Sequence, residues 1–259
     1  MRFSVFTKPW KTLTATELAK KVADWGFDGV EFPLRDGYQA EPKNAVEDLP
    51  KLAKTFGEYG VSIMSVASST DEAVFEACQK AGVPIIRIMA PMDKPEGYLY
   101  SEAQFKKYLD SLVPLCEKYG VQVGVQNHYG RQVFNTMQLR HLVEDYDPKH
   151  IGAVWDAAHS GLTGEEPDHA LDIIWDKLIL VNLKSAYWVR KNGPESANVL
   201  WKPYFTTGVQ GMTSYPDIID YLKKRCYTGD ICLPAEYTAE ELVDELTPKE
   251  LAYVKSLVG

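Results

Sequence analysis

The chain has 259 residues, 45% of them apolar and 25% charged, with a formal net charge of −8. This is ordinary globular composition, which excludes a disordered or collagen-like chain. The acidic balance argues against binding a phosphate backbone, so no nucleic-acid partner is expected. No apolar run approaches the roughly 20 residues of a spanning helix, which excludes a transmembrane protein and a membrane partner. The N-terminal MRFSVFTKPWK shows no basic-then-apolar export signal. Cys78, Cys116, Cys226 and Cys232 lack C-x-x-C spacing and suit free thiols in a reducing compartment. A cytoplasmic enzyme is the expectation.

In chain order, residues 2–6 (RFSVF) read as a strand and 14–25 as an amphipathic helix. The run 28–32 (DGVEF) is extended, a loop surrounds Pro42, and 48–59 has helical spacing. A strand at 61–67 (VSIMSVA) precedes a helix at 71–80, and another at 84–90 (PIIRIMA) precedes a long helix at 101–119 capped by Ser101. Residues 121–126 (VQVGVQ), 151–156 (IGAVWD), 178–184 (LILVNLK) and 231–237 (ICLPAEY) complete the strands. Helical patterns at 136–146, 168–176, 214–225 and 248–257 lie between or after them.

Eight strand–helix alternations in one chain of this length predict an α/β fold, a single (β/α)8 TIM barrel spanning 1–259. No G-x-G-x-x-G follows the first strand, so neither a doubly wound sheet nor a nucleotide cofactor is expected. The interval between the seventh and eighth strands is enlarged, and 185–213 is expected to form an extended loop at the catalytic face.

Alternation along the strands then sorts side chains by face. Val121, Val123 and Val125 share one face while Gln122, Gly124, Gln126 and His128 share the other. Ile179, Val181 and Leu183 are expected outward and Asn182 and Lys184 inward. The same parity turns Glu31, Arg87, Asp156 and Glu236 toward the barrel axis. Burying so many polar groups is costly unless they serve one another or a ligand, so a polar pocket is predicted where barrel enzymes keep their active sites.

The segments GVE (29–31), VQNH (125–128), WDAAH (155–159), VNLK (181–184) and PAEY (234–237) resemble the xylose-isomerase-like TIM barrels, a family of sugar phosphate isomerases, epimerases and related AP endonucleases. The resemblance covers nearly the whole chain, and WDAAH is its most specific piece. It implies a divalent metal at the barrel mouth, with Asp156, Glu236, Gln126 and Asn182 at the ligand positions. Where the family commonly reads ENH this chain reads Gln126-Asn127-His128, and where it reads H-x-K-D this chain reads Asn182-Leu183-Lys184-Ser185. An amide oxygen coordinates a hard cation without negative charge, so manganese or magnesium is favoured over zinc and binding is expected to be weak or lost.

The resemblance further implies proton transfer on a carbon next to a carbonyl. Only Glu236 survives of the family's glutamate pair, which leaves Glu236 as base with His128, His159 or Lys184 as the acid. Trp188, Arg190, Trp201 and Lys202, in the loop after the seventh strand, are expected to contact the substrate, as are Glu31 and Arg87. The expected function is a sugar or keto-compound isomerase or epimerase acting on a small molecule. A lyase sharing the first step is the close variant, and a carbohydrate-binding barrel without catalysis is the rival. A homodimer is implied by the family's habit of pairing. No G-x-S-x-G, H-E-x-x-H or G-x-x-x-x-G-K motif supports another enzyme class. AP-endonuclease-like cleavage is disfavoured by five histidines and the acidic charge.

Overall fold

The apolar runs form strands buried on both faces, as a parallel sheet wrapped by helices demands. The computed structural model describes residues 1–259. In chain order it runs β1 (Arg2–Phe6), α1 (Ala15–Trp25), β2 (Gly29–Pro33), α2 (Ala45–Gly57), β3 (Ser62–Ala67), α3 (Glu72–Ala81), β4 (Ile85–Met89) and α4 (Tyr98–Tyr119). There follow β5 (Gln122–Gln126), α5 (Thr136–Val143), β6 (Ile151–Asp156), α6 (Ala157–Leu162), α7 (Pro167–Ile174) and β7 (Leu178–Asn182). The last part holds β8 (Ser185–Arg190), β9 (Trp201–Thr206), α8 (Tyr215–Lys224), β10 (Asp230–Leu233) and α9 (Val243–Val258). Eight strands pair in parallel and close as β1-β10-β7-β6-β5-β4-β3-β2, a single (β/α)8 barrel. No helix is long and apolar enough to cross a membrane.

Local chemistry sets the element ends. Thr14 and Glu17 form a capping box at the start of α1, an arrangement worth about 1 kcal/mol, and Gly26 ends that helix at φ +84°. The helix expected to start at Ser101 begins a turn earlier, at Tyr98. Ser101 does not cap it, because its hydroxyl bonds back to the Gly97 carbonyl at 2.9 Å and accepts from Lys94 N at 3.0 Å.

The core is layered. The main cluster joins the outward side chains of the strands to the helices, with Val123, Val125, Trp155 and Val181 among them. A second cluster fills the barrel interior with Phe6, Ala67, Ile85, Val154, Leu180 and Cys232. Ile179 packs on this interior cluster, against its expected outward placement. The cause is an irregularity in the β6–β7 pairing, where Ala153 faces Leu178 but Val154 faces Leu180. Gly124 and Gly152 make room inside the barrel. A Cβ on either would come within 2.5 Å of Val154 Cγ2 or Ile179 Cγ2.

The expected extended loop at 185–213 is largely an antiparallel hairpin, β8 on β9, with Tyr187 and Tyr204 stacked 5.2 Å apart across the strands. Its residues alternate in β-forming aromatic and branched types, and cross-strand stacking of this kind stabilises a ribbon outside the barrel.

Candidate active site

Five barrel strands deliver polar side chains to one cavity of about 90 Å³ at their C-terminal ends. Glu31 (β2), Arg87 (β4), Gln126 (β5), Asp156 (β6) and Asn182 (β7) line it, joined by His128, Lys184 and Glu236 from the loops just beyond the strands. All eight were placed on this face by alternation. Lys8 and Arg35 line the same cavity and were missed, although the alternation run two residues past β1 and β2 lands on both.

The arginine side is a chain of fixed hydrogen bonds. Arg87 Nε donates to Glu31 Oε1 at 2.6 Å, and Ser65 Oγ donates to the same oxygen at 3.2 Å. Another Arg87 nitrogen, Nη1, donates to Gln126 Oε1. Gln126 Nε2 in turn donates to Asp156 Oδ2 at 2.7 Å. Burial would lower Arg87, but Glu31 outweighs it and holds the guanidinium above its ordinary value.

The lysine side centres on one ammonium. Lys184 Nζ lies 3.1 Å from Glu236 Oε2, 3.2 Å from His159 Nε2 and 3.6 Å from Asp156 Oδ2. The Phe205 ring of β9 caps it, with its centroid 4.8 Å from Nζ. Burial works against this charge, yet Asp156 and Glu236 outweigh it, so Lys184 stays protonated above its ordinary value. Glu236 is raised by burial but brought down to about 2 by Lys184 and by Lys8, whose Nζ is 2.5 Å from Oε1. Asp156 is pushed up by burial, with Lys184 opposing.

Asp156 owes its position to two clamps. Its Oδ1 caps α6 by accepting from Ala158 N at 3.0 Å and His159 N at 3.3 Å. The Asn127 amide grips its backbone, accepting from Asp156 N at 2.7 Å and donating to Asp156 O at 3.2 Å.

The two histidines differ. His128 lines the cavity, and its Nδ1 pairs with the Tyr129 carbonyl at 2.9 Å, which leaves Nε2 as the free acceptor. Burial lowers it despite that carbonyl. His159 does not line the cavity. It is fully buried behind His128, ring centroids 4.2 Å apart, and burial together with Lys184 keeps it well below its ordinary value. Its contact is with Lys184, so it positions that ammonium.

The expected substrate contacts on the hairpin are not brought together with this cavity. Trp188 packs beside Ala158 and Leu162 and donates to the Leu162 carbonyl at 2.9 Å. Arg190 closes its own turn on the Gly193 carbonyl, while Trp201 and Lys202 are exposed. The antiparallel register carries these positions away from the mouth, because Arg190 faces Trp201 and Val189 faces Lys202 near the hairpin tip. Phe205, near the opposite end of β9, is the hairpin residue that reaches the site.

A divalent metal does not suit this donor set. Both Glu236 oxygens and both Asp156 oxygens already face N–H groups, and the Gln126 oxygen is turned to Arg87. The Lys184 ammonium holds the space between the two carboxylates. No three histidine, cysteine, aspartate or glutamate side chains gather into a metal-holding group. Of the expected ligand set Asp156, Glu236, Gln126 and Asn182, only Asn182 Oδ1 is a buried acceptor without a partner.

Comparison with known proteins places the site in context. A family model described as "Xylose isomerase-like TIM barrel" matches residues 19–257. An inosose dehydratase of Geobacillus thermodenitrificans (strain NG80-2) is 24% identical over 133 residues, an alignment covering 49% of this chain and 45% of that protein. The 3-keto-D-glucoside 4-epimerase of E. coli superposes with a TM-score of 0.74 at 16% identity, covering 99% of each chain. A D-psicose 3-epimerase from Clostridium cellulolyticum H10 gives 0.74 at 12% identity over 100% of this chain and 99% of that one.

Proposed function

The chain belongs to the xylose isomerase-like TIM barrel family, and from that premise we propose that it isomerises or epimerises a sugar-derived keto compound by moving a proton on the carbon beside the carbonyl. The observation that carries this reading is the Lys184 ammonium held 3.1 Å from the ionised Glu236 inside a polar cavity. An N–H donor aimed at developing oxyanion charge, beside a carboxylate that can take a proton, is the minimum equipment for enolate chemistry.

Lys184 presents three N–H bonds. Two are committed at 3.1 and 3.2 Å, and the third faces Asp156 at 3.6 Å, the longest of the set. That third bond is the one a substrate carbonyl oxygen can take, with the ammonium then stabilising the enolate. Glu236 removes the neighbouring proton, and its basicity rises as the substrate oxygen takes a share of the Lys184 charge. Isomerisation follows when Glu236 gives that proton to the former carbonyl carbon while the neighbouring hydroxyl proton passes to the carbonyl oxygen. Epimerisation follows when the enolate takes a proton on its other face from water relayed through the neutral His128 Nε2, and Glu236 then releases its own proton to solvent. Buried acceptors without partners are costly. Two such atoms, Asn182 Oδ1 and Glu31 Oε2, belong to residues lining this cavity and suit the hydroxyls of a polyol.

The similar proteins include two epimerases and a dehydratase, reactions that share a first step when a carbonyl is adjacent. Elimination of a hydroxyl after proton removal is therefore the second reading. Solvent-deuterium wash-in across a panel of keto sugars and cyclic ketones, in chelator-treated buffer, tests both. Deuterium at one carbon, lost in Glu236→Gln, is expected. Binding of the panel without any exchange would leave a carbohydrate-binding barrel, and exchange only on adding metal would refute the ammonium mechanism.

A further inference from the structure

Beside the catalytic cavity lies a groove of about 410 Å³, on the side formed by the loops after β2 to β5 and by α4. The two spaces share Arg35, Arg87 and Met89, so a ligand can occupy both. The inner cavity alone, at about 90 Å³, falls below the ~300–1,000 Å³ typical of ligand pockets, whereas the groove lies within that range. A substrate reacting at Lys184 must therefore place its remainder in the groove.

The groove's charge identifies what that remainder carries. Its lining contains two arginines and no aspartate or glutamate. Arg35 is half-buried, and none of the chain's ion pairs or side-chain hydrogen bonds engages its guanidinium. Its neighbour is the Phe6 ring, on which Arg87 also lies, at 5.8 and 5.0 Å from the centroid respectively. Arg87 has spent Nε and Nη1 on Glu31 and Gln126, which leaves Nη2 uncommitted. The three carboxylates of the adjoining cavity are paired with cations other than Arg35, Glu31 with Arg87, Asp156 with Lys184, and Glu236 with Lys8 and Lys184. Burial and the nearby Arg87 charge both disfavour the Arg35 cation, so an anion arriving there relieves an existing repulsion. Gln132 adds a buried Oε1 with no partner, an acceptor for a ligand hydroxyl.

We propose that this groove is an anion subsite, in which Arg35 and the free edge of Arg87 bind a carboxylate or phosphate at the far end of a hydroxylated substrate. The proposal deepens the proton-transfer reading and rests on it for which end of the ligand reacts. Planar guanidinium donors suit both oxyanions through paired N–H bonds.

Calorimetric titration of the full chain with a neutral ketohexose, its 6-phosphate and a hexulosonate of equal carbon count tests it. One of the two anionic compounds is expected to bind at least about tenfold more tightly than the neutral sugar. Whichever does so tells phosphate from carboxylate. Arg35→Gln should erase that preference while neutral-sugar affinity stays within about twofold. Arg35→Lys should retain part of the preference, and the exposed Lys149→Gln should retain all of it. Equal binding of neutral and anionic compounds, or a preference that survives Arg35→Gln, overturns the subsite. Glu236→Gln separates the two claims, since it stops deuterium exchange and leaves anion preference intact. Wild-type protein that shows the preference but no exchange would sink the catalytic reading alone.

Discussion

The two sides of the catalytic cavity solve the burial of charge differently. On the arginine side, Glu31 and Arg87 form a direct ion pair almost sealed from solvent, with Ser65 and Gln126 adding hydrogen bonds to it. On the lysine side, one ammonium is shared among Glu236, His159 and Asp156, and one of its three contacts is stretched to 3.6 Å. The planar guanidinium locks its partners in place, while the compact ammonium can trade one acceptor for another at little cost. A rigid wall and an exchangeable donor facing each other are what a proton-transfer site needs. Under the proposed reaction, the arginine side holds and the lysine side reacts.

That contrast is open to breakage. Lys184→Met should have the largest effect on chemistry, cutting kcat for exchange about 10²–10³-fold while circular dichroism stays native. Lys184→Arg should not restore it, because a guanidinium does not fit a single-point donor site. If Lys184→Met kept wild-type turnover, the reacting side would have to be sought elsewhere. Arg87→Met should instead act on stability, costing about 3–5 kcal/mol in urea denaturation by stranding the buried Glu31 carboxylate. Adding Glu31→Leu should recover most of that loss, and no recovery would mean that the pair is not the unit described. The smallest effect is the most discriminating. The reaction needs Glu236 ionised, which holds above about 2, and Lys184 protonated, which holds to above its ordinary value. The kcat/KM profile should therefore stay level within about twofold from roughly pH 5 to pH 9. An acid limb below the ordinary histidine value, where burial moves His128, would transfer the base role to that imidazole.

Most of this architecture was legible in the sequence because parallel barrel strands are buried on both faces and their polar interruptions stand out. Glu31, Gln126 and Asp156 each break an apolar run at a fixed parity, and parity alone put them in one cavity. Parity failed at Ile179, where the irregular β6–β7 pairing turns two successive residues, Ile179 and Leu180, into the barrel. It also says nothing about depth. His159 has the right chemistry but lies behind His128, outside the cavity lining, because Asp156 starts a helix that buries it against His128 and Phe205. The hairpin misled for a further reason. Aromatic and basic types in a long insert on the catalytic face suit substrate contact, whereas the β8–β9 register points Trp188 at α6 and leaves Trp201 exposed. Lys8 and Arg35 lie two residues past the strand ends, outside the apolar runs that make alternation visible.

Under the proposed reaction, Lys184 would also change what the protein depends on. A cation built into the polypeptide is present at one per chain, and no chelator removes it. It brings a single charge where a divalent ion would bring two, and no empty coordination position, so its pull on a carbonyl is weaker. Such a site suits molecules whose C–H bond is already acidic, with a second electron-withdrawing group close to the carbonyl. Under the proposed reaction, the trade would be narrower chemistry for independence from the surrounding metal supply.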